Sequence, residues 1–170
     1  MRQSVIKYLQ SVLEKYPARE PIYEIGSFRV SGQEKLANMR PYFPVGMIFV
    51  GCDIRKGPGV DSIENAEHLS MESDSVGTLI CLDTLEHVQD TLQAMREFYR
   101  VLIPGGLCVI TSVMNFGIHD YPSDYWRFTP EAFRFMLKQF SEFEVVSDGN
   151  PTFPVGVYGY GIKGGNVGAH

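Results

Sequence analysis

Apolar residues Val5, Tyr8, Leu9, Val12, Leu13 and Tyr16 recur at i, i+3, i+4, i+7, i+8 and i+11. That is the spacing of one helical face, and it predicts a helix over 4–16 with Ser4 as its cap. Pro17 and Pro21 end the pattern, and Ile22-Tyr23-Glu24-Ile25 before Gly26 predicts a short buried strand closing in a tight turn. A short helix is expected over 33–39. Met47-Ile48-Phe49-Val50-Gly51-Cys52 predicts a second strand ending at Asp53, and after the turn-rich Lys56-Gly57-Pro58-Gly59 a brief strand is expected near 60–63. Val76 to Leu82 predicts a further strand ending at Asp83.

Asp90 is placed to cap a helix whose inward face is expected to be Leu92, Met95, Tyr99 and Leu102. Pro104-Gly105-Gly106 should stop it before a strand over Leu107 to Val113. Thr129-Pro130 has the cap and first-turn chemistry of another helix, followed by Phe133, Met136, Leu137 and Phe140 at helical spacing. Phe143 to Ser147 and Val155 to Ile162 are expected to pair as late strands. Strands alternating with helices predict an α/β fold, a mostly parallel sheet covered on both faces, with an antiparallel C-terminal edge. Without repeats or a linker, the chain reads as one compact domain: helix 4–16, core 21–162 and a glycine-rich, frayed tail 163–170.

Composition narrows the function. A chain of 170 residues with 44% apolar content can bury a core without staples. Its net charge of -5 argues against a broad nucleic-acid or membrane footprint, since those partners are anionic. Cys52, Cys81 and Cys108 each sit in an apolar run with no CxxC pair, as expected of small core hydrophobes in a reducing compartment. No stretch has the length or apolarity of a membrane span, so the expected setting is soluble and cytoplasmic.

In an open parallel sheet, ligands bind beyond the carboxyl ends of the strands, where strand order reverses. Four segments follow predicted strands: Glu24-Ile25-Gly26-Ser27, Asp53-Ile54, Asn65-Ala66-Glu67 and Asp83-Thr84-Leu85-Glu86-His87. Singly, Gly26 reads equally as a turn glycine and Asp53 as an ordinary strand-ending acid. Their order, together with the run from Leu82-Asp83-Thr84-Leu85-Glu86-His87-Val88 through Arg100-Val101-Leu102-Ile103-Pro104-Gly105-Gly106, resembles the class I S-adenosylmethionine (SAM)-dependent methyltransferases over roughly Ile22 to Leu137.

The resemblance implies a Rossmann-like, doubly wound fold, SAM as cofactor, and a cofactor site of Glu24, Gly26, Ser27, Asp53, Ile54, Ala66, Glu67 and Asp83. Gly26 would let backbone approach the methionine part of SAM. Asp53 would accept hydrogen bonds from the ribose hydroxyls, Ala66 and Glu67 would lie near adenine, and Asp83 would open the loop against the methionine. The family's first loop usually continues with glycines; here Phe28 and Val30 stand in those places, with Gly32 available to take part of that role. The missing G-x-G-x-x-G weakens a nicotinamide-dependent oxidoreductase, which needs backbone NH groups at a pyrophosphate.

On the acceptor side, Asn115, His119, Asp120, Tyr121, Asp124, Tyr125, Trp126 and Arg127 follow the predicted fifth strand, and the run Asp124 to Pro130 is similar to a stretch in a bacterial methyltransferase subgroup. The alternative, less favoured, is that Tyr125 and Trp126 lid the core. Candidate catalytic residues are His119, His87, Tyr125 and Arg127. Histidine suits a general base because its ordinary pKa lies near neutrality, and His119 is preferred for its place in the acceptor-side loop. Asp83, Glu86, His87 and His119 also suggest a divalent metal orienting an acceptor diol, similar to small-RNA 2'-O-methyltransferases and some ubiquinone-pathway O-methyltransferases. The stronger reading of Glu86 and His87 is that they begin the next helix without metal. The expected activity is methyl transfer to a small molecule or glycan; the alternative is a catalytically silent SAM-binding regulatory or partner subunit.

Overall fold

The computed structural model describes residues 2–32, 37–119 and 123–165. All seven strands join one sheet in the order β3-β2-β1-β4-β5-β7-β6. They are β1 Ile22–Ile25, β2 Phe49–Asp53, β3 Ser62–Ile63, β4 Val76–Leu82, β5 Leu102–Val113, β6 Glu142–Asp148 and β7 Gly156–Ile162. The β1, β2, β3, β4 and β5 ladders are parallel, and β7 pairs antiparallel with both β5 and β6. The α/β architecture and the antiparallel edge are as the sequence predicts. The helix expected over 33–39 falls largely on 33–36, outside the described residues, as do Asp120, Tyr121 and tail positions 166–170.

Helix α1 (Gln3–Lys15) buries Val5, Leu9 and Val12 against one sheet face, where Ile22, Ile80, Leu82, Val109, Tyr158 and Tyr160 complete a core. Ser4 does not cap it. Arg2 holds the cap position, and the Ser4 hydroxyl instead meets Asp148 Oδ2 at 2.9 Å and the Tyr158 hydroxyl at 2.8 Å, partners that only the folded sheet supplies.

Helices α2 (Thr91–Val101) and α3 (Pro130–Leu137) cover the other face with Leu79, Cys81, Phe98, Phe133 and Leu137. Asp90 and Thr129 cap them as expected, their side chains accepting from the backbone N–H of Gln93 and Ala132. The inward face of α2 is Thr91, Ala94, Met95, Phe98 and Val101, whereas Leu92 is exposed. Pro104-Gly105-Gly106 lies inside β5 rather than before it. Register against β4 passes from Val76↔Leu102 to Thr78↔Leu107, so the extra residues loop out, with Gly105 at φ 75°. All three cysteines are buried and free, as read.

Candidate cofactor and acceptor site

Strand order reverses between β1 and β4, and a cavity of about 690 Å³ opens there. This lies within the roughly 300–1,000 Å³ usual for small-ligand sites. Its walls come from the segments after β1, β2, β3, β4 and β5, so the strand-end rule holds.

Gly26 ends β1 at φ 87°, with its N–H donating to the Cys52 carbonyl at 2.8 Å. A Cβ there would lie 2.1–2.8 Å from the Thr84 side chain, so the loops after β1 and β4 meet only because this residue is glycine. Asp53 ends β2 nearly buried. Its Oδ1 accepts from Arg55 N–H at 3.0 Å and Arg55 Nε at 3.1 Å, and its Oδ2 from Phe28 N–H at 3.3 Å. The carboxylate is thereby held at the cavity wall with acceptor capacity left on Oδ2. Ile54, Ala66, Glu67 and Asp83 line the same cavity.

Glu24 and Ser27 do not. Glu24 alternates with Ile25 along β1, so it shares the α1 face with Ile22 and is 4% exposed, near Arg29, Arg40 and Asp61. Burial pushes its pKa up to about 8 against the lowering pull of the two arginines. Ser27 is packed under Gly51, where a Cβ would meet its Oγ at 2.8 Å. Gly32 is not a lining residue either, whereas Phe28 and Val30 are.

On the acceptor side, His87, His119 and Tyr125 line the cavity with Glu86, Val113 and Phe116. The rings of His87 and His119 meet edge to face, centroids 4.8 Å apart. His87 Nδ1 lies 2.7 Å from the Ser123 carbonyl, and burial lowers its pKa, favouring the neutral imidazole. Glu86 accepts from the Ser112 hydroxyl at 2.5 Å, and burial, reinforced by Asp83, raises its pKa to about 7. Donor atoms of Glu86, His87 and His119 lie within 4.8 Å of one another, an arrangement able to hold a metal. Asp83, the fourth ligand expected for it, is instead engaged by Arg2 and Thr111.

Arg127 stands apart from the cavity wall. Its guanidinium makes a two-pronged pair with Asp124 at 2.5 and 2.7 Å and donates to the carbonyls of Phe116 and Gly117, so it shapes the 116–119 loop. This pairing holds the Asp124 carboxyl well below the usual carboxylate range. Asp124 in turn accepts from the His119 backbone N–H at 2.8 Å. Trp126 is half exposed and donates from Nε1 to the Val88 carbonyl at 2.9 Å, rather than closing over the core.

Sequence reasoning missed Arg2, Arg55, Glu64, Gln89, Val113 and Phe116 as lining residues. Arg55 and Glu64 are adjacent to residues it did select, so strand-end position was a usable signal. Arg2 carries no such signal, because it precedes the first strand by a whole helix.

Residues 47–110 match the family model described as a methyltransferase domain. A SAM-dependent methyltransferase from Thermotoga maritima, described as a possible histamine N-methyltransferase, superposes with a TM-score of 0.66 at 20% identity, over 94% of this chain and 89% of that one. The fold is that of the class I SAM-dependent methyltransferases. The last strand of this chain, β7, inserts antiparallel between β5 and β6. The demethylmenaquinone methyltransferase of Listeria welshimeri is 30% identical over 120 residues, 66% of this chain and 51% of that protein. A ubiquinone/menaquinone biosynthesis C-methyltransferase of Bartonella henselae is 38% identical over 74 residues, covering 42% of this chain and 28% of its own. The chain thus spans about half the length of the first of these curated relatives. The methyltransferase fold implies SAM as cofactor, and the cavity suits it: Gly26 lines the wall with bare backbone, and Asp53 offers an acceptor carboxylate suited to a diol. Among the described residues, no helix is long and apolar enough to cross a membrane.

Proposed function

We propose that this chain binds SAM and transfers its methyl group to a small-molecule acceptor of the quinone class. The observation that carries the reading is the convergence of Gly26, Asp53 and Asp83, from three different strand ends, on one cavity at the switch point of the sheet. Gly26 admits the amino-acid part of the cofactor beside β1, Asp53 accepts from the ribose hydroxyls, and Ile54, Ala66 and Glu67 flank the base. Bound SAM supplies a methyl carbon already activated by its sulfonium, so the protein's larger task is alignment.

The acceptor wall is built for a flat, mostly apolar molecule: Val88, Val113, Phe116 and Tyr125 surround the two histidines. His119 is the residue to take a proton from an acceptor hydroxyl. Its Nδ1 lies 3.1 Å from the Gly117 carbonyl, which leaves Nε2 as the basic atom when Nδ1 carries the hydrogen. Arg127 acts at one remove by holding the loop that carries His119. The quinone class comes from the names of the Listeria and Bartonella relatives, which give no support to a glycan. A catalytically silent SAM-binding subunit is the less favoured alternative, because the acceptor wall is furnished with groups such a subunit does not need.

Calorimetric titration with SAM, S-adenosylhomocysteine and NAD tests the cofactor, and a methyl-transfer assay with a demethylated naphthoquinol tests the acceptor. Saturable SAM binding without NAD binding, followed by release of S-adenosylhomocysteine, is expected; preference for NAD would end the proposal.

A second reading of the acceptor side is favoured by the Glu86, His87 and His119 cluster, whose donors suit a divalent cation that orients an acceptor hydroxyl. Metal analysis of the purified protein, with cation titration before and after chelation, decides it. No retained metal and no saturable uptake of zinc or manganese removes this reading.

A further inference from the structure

The acceptor side of the cavity is bordered by exposed apolar residues on three loops: 114–119 after β5, 123–129 before α3, and 149–155 between β6 and β7. Ile118 is 90% and Phe153 61% exposed, and Phe116, Tyr125, Trp126 and Val155 are exposed with them. Hydrogen bonds hold the loops side by side. The N–H groups of Met114 and Asn115 donate to the Val155 carbonyl at 3.0 and 3.3 Å, and Arg127 donates to the carbonyls of Phe116 and Gly117. Trp126 Nε1 donates to the carbonyls of Val88 and Gln89 at 2.9 and 3.2 Å, so its one polar atom is satisfied within the protein.

Charge is absent from most of this rim. Neither 114–119 nor 149–155 contains an Asp, Glu, Lys or Arg, in a chain of which 21% of residues are charged. On 123–129 the two charged residues, Asp124 and Arg127, pair with each other. A ligand inside the cavity leaves the rim uncovered: Phe116 and Tyr125 belong to both cavity wall and rim, whereas Ile118, Trp126, Phe153 and Val155 lie outside the lining. Clustered exposed apolar groups rimmed by polar surface mark an interaction site.

We propose that this rim docks on a lipid bilayer of zwitterionic, electrically neutral headgroups. Aliphatic side chains bury at the headgroup boundary, and Trp and Tyr favour it because their rings are apolar on one side and polar on the other. An uncharged rim gains nothing from anionic headgroups, and the net charge of -5 is repelled by them, so complementarity selects neutral lipid. Three loop tips offer neither a strand edge nor a helix face to set register with a protein partner, and a fluid surface needs none. Through Phe116 and Tyr125 the rim is continuous with the cavity, giving an apolar acceptor a route from lipid that avoids water. That route rests on the proposed acceptor class; the docking surface does not.

Trp126 is the single tryptophan of the chain, so its fluorescence reports on the rim itself. The full chain is titrated with phosphatidylcholine vesicles and, separately, with vesicles of phosphatidylcholine and phosphatidylglycerol. With phosphatidylcholine the emission should shift to the blue and saturate, at an affinity constant within about twofold between about 0.05 M and 0.5 M salt. Ile118→Ser combined with Phe153→Ser should weaken vesicle binding by at least about 10-fold, the loss for two apolar side chains that no longer enter the boundary, while the dissociation constant for SAM stays within about twofold.

No blue shift with phosphatidylcholine, undiminished binding by the double variant, or binding only to the anionic vesicles that salt abolishes would each overturn the proposal. A blue shift that appears without lipid as protein concentration rises, with a doubled mass in sedimentation, would give the rim to a second copy of the chain and overturn it too. If the double variant does not fold, brominated phosphatidylcholine decides with the wild type: quenching of Trp126 supports docking, and unquenched emission refutes it. Vesicle binding without methyl transfer to a demethylated naphthoquinol upholds the surface and refutes the acceptor, so the two failures are told apart.

Discussion

Gly26 and Glu24, two residues apart, have unrelated tasks. Gly26→Ala forces a left-handed φ on a residue with a Cβ and drives that atom into Thr84. It should cost at least about 2 kcal/mol, read as a fall in urea midpoint, and should also weaken SAM binding. Glu24, buried among Arg29, Arg40 and Asp61, has a folded-state pKa of about 8, above the ordinary value of 4.5. The folded state therefore holds the proton more tightly than the unfolded chain, and its contribution is fully present below pH 4.5 and lost as pH rises through 8. In the Glu24→Gln variant that decline should vanish, and parallel urea midpoints for the two proteins between pH 5 and 8 would contradict the mechanism. The sequence revealed Gly26 and Asp53 because both stand at the ends of apolar runs, a position defined along the chain. It misassigned Glu24 because strand-end proximity does not say which sheet face a side chain takes, and alternation turns Glu24 from the cavity.

Among the elements, α2 shows how a helix can be found and still be turned wrongly. Leu92, Met95 and Tyr99 and the observed Thr91, Ala94, Met95, Phe98 and Val101 both satisfy helical spacing, and the two stripes differ by one residue, about 100° of rotation. Large apolar residues drew the reading toward Leu92, whereas the fold buries the smaller Thr91 and Ala94 and encloses Phe98 completely. Phe98→Ala should cost about 3–5 kcal/mol by chemical denaturation. Leu92→Ala should stay within about 0.5 kcal/mol, and the reverse ranking would support the stripe read from the sequence. Cap chemistry at Asp90 and Thr129 was legible because it is local. The hydroxyl of Ser4 was not, because Asp148 and Tyr158 lie more than a hundred positions away in the chain.

For the molecule as a whole, the sheet order was inferable only in outline. Alternating helices and strands gave a parallel sheet, but the reversal at β1 and β4 that opens the cavity is a property of three dimensions. Arg2 was missed and Arg127 misjudged for the same reason: one reaches the cavity from ahead of α1, and the other spends donors on the 116–119 loop. A ligand gripped by loops from five strands and by the residue ahead of α1 should stabilise the fold globally. At a concentration one hundred times its dissociation constant, S-adenosylhomocysteine should add about 2.7 kcal/mol, a rise in Tm of roughly 5–10 °C for a chain of this size. Differential scanning fluorimetry checks this, with NAD expected to leave Tm unchanged.

The two outermost strands carry a further consequence. β3 has only two residues, and β6 presents Glu142 and Glu144 on an exposed margin. One rim is too short to template a neighbouring molecule and the other repels a copy of itself, so concentrated native protein should resist edge-to-edge polymerisation, and any fibril formation should begin only after the fold has opened.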